Sequence, residues 1–362
     1  MHIKPVEQTV SFDRIINSNY EEFIVNACAS SCKFGYITLQ EGDKVELIRG
    51  NIHVMLIKPF GTGKTRTIFD IDGIEIEDAS TTTMPGLIGT IHEDGTAVIG
   101  SVFKAAGKLL RIDEAQDISR RVKQALGSIL EKPNRVTRVL GRPLSRPCLE
   151  GELPKDNPDT YAYITGSETT FTIMSRFSCI CSSTTYQNNT QVDMAWNSRF
   201  IPIKTMVDSR YAFKLTRGEL GYPINPVNFE SGFYFAEYIK FNRYMEEWFN
   251  NSRWFEILVT RPDEIGYATR AVGDFVRLGA YMASLRRDSN ITFDDCVHVL
   301  ETYGDIYFYQ HLIGAIDYRD FLIVRNCGNK TQEELASLLD LDQATISRRI
   351  NSLISRGLLK PV

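Results

Sequence analysis

The stretch from 52 to 65, "IHVMLIKPFGTGKT", runs the apolar residues Val54 to Ile57 into a turn made of Gly61, Thr62, Gly63, Lys64 and Thr65. Glycines in such a turn let successive backbone N–H groups converge on phosphate oxygens. The lysine neutralises β/γ-phosphate charge, and the hydroxyl can ligate magnesium. The usual pattern G-x-x-x-x-G-K-[ST] is broken once, because Lys58 stands in the place of its first glycine. If the backbone there required positive φ, a lysine would cost on the order of 1 kcal/mol. Further along, "KLLRIDEAQ" ends a second apolar run in Asp113 and Glu114. Beside a phosphate loop, this pair offers one carboxylate to magnesium and a second to polarise an attacking water. Each motif alone has a plainer reading, as a glycine-rich turn or a solvated strand end. Together they point to hydrolysis of a nucleotide with magnesium.

Both motifs need strands to hold them. "VMLI" predicts a short buried strand, and the residues after Lys64 can start a helix. The chain is 362 residues long, enough for about two domains of ordinary size, and its 43% hydrophobic and 24% charged residues suit a soluble globular protein. No run approaches the ~20 apolar residues of a membrane span, so no membrane partner and a cytoplasmic location are expected. Seven cysteines are scattered from Cys28 to Cys327, an odd number that suggests buried thiols and no disulfide framework. Net charge is −4, so contact with nucleic acid must come from local patches. One such patch, residues 119 to 146, carries Arg120, Arg121, Lys123, Lys132, Arg135, Arg138, Arg142 and Arg146 against the single acid Glu131. Its alternative reading is a solvated basic face.

With these motifs in place, the chain resembles the AAA+ ATPases and, within them, the MCM (minichromosome maintenance) helicase group. "KPFGTGKT" is similar to the family's Walker A loop and "LLRIDE" to its Walker B strand. Between them, "LIGTI" and "TAVIG" read as strands of a β-hairpin joined by "HEDG", with Gly95 suited to positive φ. "SRRVKQALGSILEKPNRVTRV" resembles the family's helix and presensor hairpin, which implies DNA contact by Arg138 and Arg142; a polar insertion over about 150–170 follows. "SRFSCICSSTTY" is similar to the sensor 1 strand, with Thr184 where the family has asparagine. "MAWNSRFIPI" resembles the segment offering an arginine finger, which would be Arg199 reaching a neighbouring subunit; a surface salt bridge is the alternative. "GYATRAVGDFVRLGAYMASLRRDSNITFDDC" resembles the lid helix, with Arg270 at sensor 2 and Thr292 as a cap for the next helix.

The first fifty residues have no room for the N-terminal tier of cellular MCM proteins. At the other end, Thr331 and Glu334 predict a capping box ahead of Leu335, Leu338 and Leu339, and Asp342 caps a second helix with Ile346, Ile350 and Leu353 on one face. Gln343, Thr345, Arg348, Arg349 and Ser352 fall on its other face. The pair looks like a winged helix-turn-helix that contacts DNA through Arg348 and Arg349, or equally a protein. The resemblance thus implies an α/β fold: an AAA+ P-loop parallel sheet over 51–210, a helical lid over 211–305 and a winged helix-turn-helix over 306–362, behind an N-terminal extension over 1–50. The implied function is an ATP-hydrolysing helicase or translocase in DNA replication, acting as a homo-oligomer, a hexamer, with DNA and replication proteins as partners. The alternatives are an ATP-switched origin-binding or loading protein, and an AAA+ protein remodeller or transcription regulator.

Overall fold

The computed structural model describes residues 20–41, 43–58, 64–69, 71, 73–76, 79–91, 97–131, 135–139, 162–167, 170–184, 191–204, 224–230, 232–252, 265–311, 318–356 and 358–359. The chain divides into two compact units: Glu22–Tyr238 with Gly273–Cys296, and Met1–Glu21 with Ile239–Val272 and Val297–Val362.

The larger unit is built on a five-stranded sheet. Its strands are β1 (His53–Ile57), β2 (Ile74–Ile76), β3 (Leu109–Ile112), β4 (Ser178–Ser183) and β5 (Ile201–Lys204). All four pairings are parallel, and the spatial order is β5-β1-β4-β3-β2. Every residue of β1 and β4 is buried, which is why β1 reads as a continuous apolar run with no alternation. β4, "SCICSS", is less obvious. Its serines are tolerated inside because each has a partner: Ser178 Oγ lies 2.7 Å from Ser31 Oγ, Ser182 Oγ donates to Asp113, and Ser183 Oγ donates to Gln116 at 2.9 Å. Met55, Ile57, Leu110, Ile112, Cys179 and Cys181 share one core with Leu126 and Ile129 of helix Arg120–Ile129 and with Trp196 and Phe200.

From β1 the chain crosses beyond β4 and β3 to reach β2, and from β4 it returns past β1 to reach β5. The two connections run in opposite directions along the sheet, so right-handed crossovers put them on opposite faces. Adjacent strands with such connections leave a crevice at their C-terminal ends.

The expected hairpin is present, since Gly89–Ile91 pairs antiparallel with Ala97–Ile99. However, Leu87 and Ile88 end a short helix, Met84–Ile88, and belong to no strand. Thr83 caps it by accepting from Gly86 N at 3.2 Å, and Gly89 then turns the chain with φ 119°. The connecting residues, Gly95 included, lie outside the described ones. Arg135–Val139, Ala162–Ser167 and Thr170–Ser175 form a three-stranded antiparallel sheet. Part of the stretch read as a polar insertion is therefore a strand, and Tyr163, Ile164 and Thr165 are the β-favouring residues in it.

Helix Phe293–His311 starts as expected: Asp295 N donates to Thr292 Oγ1 at 3.2 Å and the Asp295 carboxylate accepts from Thr292 N at 2.8 Å. In the smaller unit, Phe241, Met245 and Phe249 are buried, and Trp248 stacks on Phe308 with centroids 5.8 Å apart. Helices Tyr318–Asn326, Gln332–Leu339 and Gln343–Ser355 pack on one another. Both predicted caps form, Thr331 with Glu334 as a capping box and Asp342 accepting from Thr345 N, and each contributes ~1 kcal/mol. Leu335, Ile346, Ile350 and Leu353 are buried between them. Among the described residues, no helix is long and apolar enough to cross a membrane.

Candidate functional site

Lys64 opens helix Lys64–Phe69, which follows β1 in the chain. Asp113 and Glu114 leave the C-terminal end of β3, and Thr184 directly follows β4, which lies between β1 and β3. Parallel pairing puts these three strand ends on the same edge of the sheet.

Side chains from the three strand ends bond to one another. Lys64 Nζ lies 3.3 Å from Glu114 Oε1, and Thr65 Oγ1 donates to Asp113 Oδ2 at 2.8 Å. Asp113 Oδ1 accepts from Ser182 Oγ and from Glu114 N, the latter at 3.0 Å. Lys64 is 4% exposed while Thr65 is exposed, so the ammonium sits at the floor and the hydroxyl at the mouth. Lys64, Thr65, Asp113 and Glu114, chosen from two separate stretches of sequence, are thus one cluster. Gly61, Thr62 and Gly63 lie outside the described residues.

Lys58 no longer counts against the loop. Its N–H donates to Ser183 O at 3.1 Å, extending the β1–β4 pairing by one step. Among the described non-glycine residues, positive φ occurs at Glu114, Arg287 and Asp340 and not at Lys58, so the lysine carries no left-handed strain.

The strain sits at Glu114, with φ 51° and ψ 47°. Left-handed backbone costs a non-glycine residue ~1 to 2 kcal/mol. Neighbouring bonds hold it: Glu114 N donates to Ser182 Oγ at 3.1 Å as well as to Asp113, and Glu114 O accepts from Asp117 N at 2.9 Å. Such strain concentrates at functional sites.

Two residues of the cluster were missed from sequence. Ser182 braces Asp113, and Gln116 joins Glu114 to the end of β4. Gln116 Nε2 donates to Glu114 Oε2, while Gln116 Oε1 accepts from Ser183 Oγ at 2.9 Å and Thr184 N at 3.2 Å. Thr184 reaches the cluster through its backbone in these bonds. The glutamine of "DEAQ" and the strand in "SRFSCICSSTTY" were both visible, but not that the two meet.

The remaining expected residues are elsewhere. Arg199 precedes β5, whose Ile201 pairs with Val54 and Lys204 with Ile57. It therefore lies at the sheet end opposite Lys64, and the length of β5, at ~3.3 Å per residue, separates the two. Its Nε donates to Gly127 O at 2.9 Å, and its NH2 group is 3.0 Å from Glu131 Oε2. The salt bridge weighed as its alternative role is real, and it occupies the one acid of the basic run. Lys123, counted in that run, is buried and paired with Asp193 at 3.0 Å, so its charge is internally compensated. Arg120 and Arg121 are exposed. Arg138 is on a strand paired with Phe171, its side chain outside the description, as is all of Arg142.

Arg270, Arg348 and Arg349 belong to the smaller unit. Arg348 is exposed and donates to Thr345 Oγ1 at 2.9 Å. Arg349 turns inward instead. Its NH1 group lies 2.7 Å from Asp320, which also pairs with Arg356 at 3.3 Å.

Buried thiols are found as expected at Cys28, Cys32, Cys179, Cys181 and Cys296, whereas Cys327 is only half-buried and Cys148 lies outside the described residues; burial pushes the Cys32 thiol up to about 12. Among the described residues no group of three or more His, Cys, Asp or Glu is placed to hold a metal ion. No protein-family model matches this chain, and no curated protein matches it.

Proposed function

We propose that the protein is an AAA+ ATPase similar to the MCM helicases, a motor that hydrolyses ATP and translocates on or unwinds DNA as an oligomeric ring. The observation that carries this reading is the cluster of Lys64, Thr65, Asp113 and Glu114 across neighbouring strand ends. Thr65 and Asp113 place a hydroxyl and a carboxylate 2.8 Å apart, hard oxygen donors of the kind Mg2+ takes. They would hold the ion, which would supply charge to neutralise phosphate.

Lys64 is the ammonium for the β/γ-phosphates. A phosphate drawn to it competes with Glu114, leaving Glu114 Oε1 to accept a proton from water. As the water oxygen bonds to the γ-phosphorus, the bond to the β–γ bridging oxygen breaks, and ADP leaves with that electron pair.

Arg199 cannot reach the phosphates beside its own Lys64, so a finger role requires the nucleotide of a second copy, as in the hexamer that the resemblance implies. Arg270 is assigned to the phosphates by resemblance alone. Arg138, Arg142 and Arg348 are the DNA contacts of this reading, through phosphates whatever the sequence. Arg349 is less suited than expected, because Asp320 holds it.

The exposed Arg348 and Gln343 on helix Gln343–Ser355 favour a second reading, an ATP-switched origin-binding protein. One experiment separates them: ATP binding, ATPase rate and strand separation, measured with single-stranded, forked and duplex DNA for wild type and Lys64→Ala. DNA-stimulated turnover with unwinding, lost in Lys64→Ala along with ATP affinity, is expected. Retained tight ATP binding in Lys64→Ala overturns the site, and sequence-specific binding without unwinding favours the origin binder.

A further inference from the structure

We propose that Gln116 is the positioning residue that holds Glu114 for catalysis and ties it to the end of β4. The inference rests on the reading of this cluster as an ATPase site. A glutamine amide can be placed either way round, but here its orientation is set by its surroundings. Thr184 N is a backbone donor 3.2 Å from one end of the amide, so that end must be the accepting oxygen. The NH2 end then faces Glu114 Oε2, which can only accept when ionised. Ser183 Oγ donates to the same oxygen at 2.9 Å, giving Gln116 two anchors on β4.

The two oxygens of Glu114 therefore have different duties. Oε1 lies 3.3 Å from Lys64 Nζ, the partner a phosphate takes away. Oε2 keeps its bond to Gln116 throughout. When the ammonium turns to phosphate, Gln116 stops the carboxylate from swinging out to solvent and leaves Oε1 aimed at the water. Because the other end of the amide is fixed to Thr184 N, a displacement of that strand end is passed to Glu114 through one rigid planar group. A general base shifted by ~1 Å loses about 100-fold in rate.

The test is a double-mutant cycle on the full-length protein. kcat and KM for ATP, and affinity for a non-hydrolysable ATP analogue, are measured for wild type, Gln116→Met, Glu114→Gln and the double variant. Methionine keeps the length of the side chain and removes both polar ends. Gln116→Met should lower kcat about 10- to 100-fold, with KM and analogue affinity within about 3-fold. In the Glu114→Gln background the same change should alter residual turnover by less than about 2-fold, because Gln116 acts through Glu114. Wild-type kcat in Gln116→Met overturns the proposal, as does an equal loss in both backgrounds, the mark of general structural damage.

Gln116→Asn keeps both polar ends but is one carbon too short to span Glu114 and Thr184, so it should lower kcat in the same sense. It carries the test if Gln116→Met does not fold, and unchanged kcat in it overturns the proposal. A wild-type protein that neither binds nor hydrolyses ATP removes the ATPase reading itself, whereas an active wild type with unaffected Gln116 variants removes only this role.

Discussion

The two ends of the parallel sheet are built on different rules. At the C-terminal end, Lys64, Thr65, Asp113, Glu114, Gln116 and Ser182 bond chiefly side chain to side chain. At the N-terminal end, arginines pair with carboxylates, Arg199 with Glu131 and Arg277 with Asp274, but are anchored on backbone as well: Arg199 Nε on Gly127 O at 2.9 Å and Arg277 Nε on Arg49 O at 3.1 Å. A bond between two side chains can be exchanged for one to a ligand with little disturbance. A guanidinium that satisfies a buried carbonyl leaves it orphaned on departure. The first end is made to change partners and the second to hold shape, so for Arg199 to serve another copy it must give up part of what it stabilises.

The sharpest test of the first end is Glu114→Gln, which should lower turnover about 100- to 10,000-fold while ATP stays bound. Undiminished turnover would mean that another group takes the proton. Arg199→Ala tests the second end. Losing its contacts to Gly127 and Glu131 should cost ~1 to 3 kcal/mol in denaturant unfolding, apart from any effect on turnover. Mixing it with Glu114→Gln subunits separates the two roles, since a finger shared between copies predicts mixed assemblies faster than either variant alone.

His53 makes the second end sensitive to acid. Burial and the nearby charges of Arg49, Arg277 and Arg199 hold its pKa well below 6.5, and its Nδ1 accepts from Cys179 N at 3.1 Å. Below pH 6.5 the unfolded chain takes up a proton that the folded protein refuses, so this contribution is present above that pH and lost as pH falls. Its slope is at most ~1.4 kcal/mol per pH unit. His53→Gln should flatten the unfolding free energy between pH 6.5 and 5.5; an unchanged slope would put the acid sensitivity elsewhere.

The smallest effect concerns Gly127, where an added Cβ would lie 3.1 Å from Arg199 Cζ. Gly127→Ala should destabilise wild type by less than ~1 kcal/mol yet stabilise Arg199→Ala by ~0.5 to 1 kcal/mol, because helix propensity then acts unopposed. Equal shifts in both backgrounds would show that Arg199 does not crowd this helix.

Much of the cluster was legible because its signals are local. Val54 to Ile57 form the expected buried strand, and Thr292, Thr331 and Asp342 form the expected caps, each from a pattern a few residues long. Strand 162–167 was passed over because polar neighbours outweighed a short β-favouring run. Arg349 was put on the exposed face by helical spacing, which could not foresee that Asp320, from another helix, would turn it inward.

The sequence by itself determined the glycine-lysine turn and the acid pair as patterns, and where the helices capped by Thr292, Thr331 and Asp342 begin, since these depend on neighbours along the chain. Only the tertiary structure decided that β4 lies between β1 and β3. That order brings Ser182 to Asp113, joins Gln116 to Ser183 and Thr184, and gives Lys58 a partner on Ser183, while the pairing of β5 with β1 sets Arg199 at the far end of the sheet. The physical reason is that strand pairing joins residues far apart in sequence, and no short pattern records which strands become neighbours.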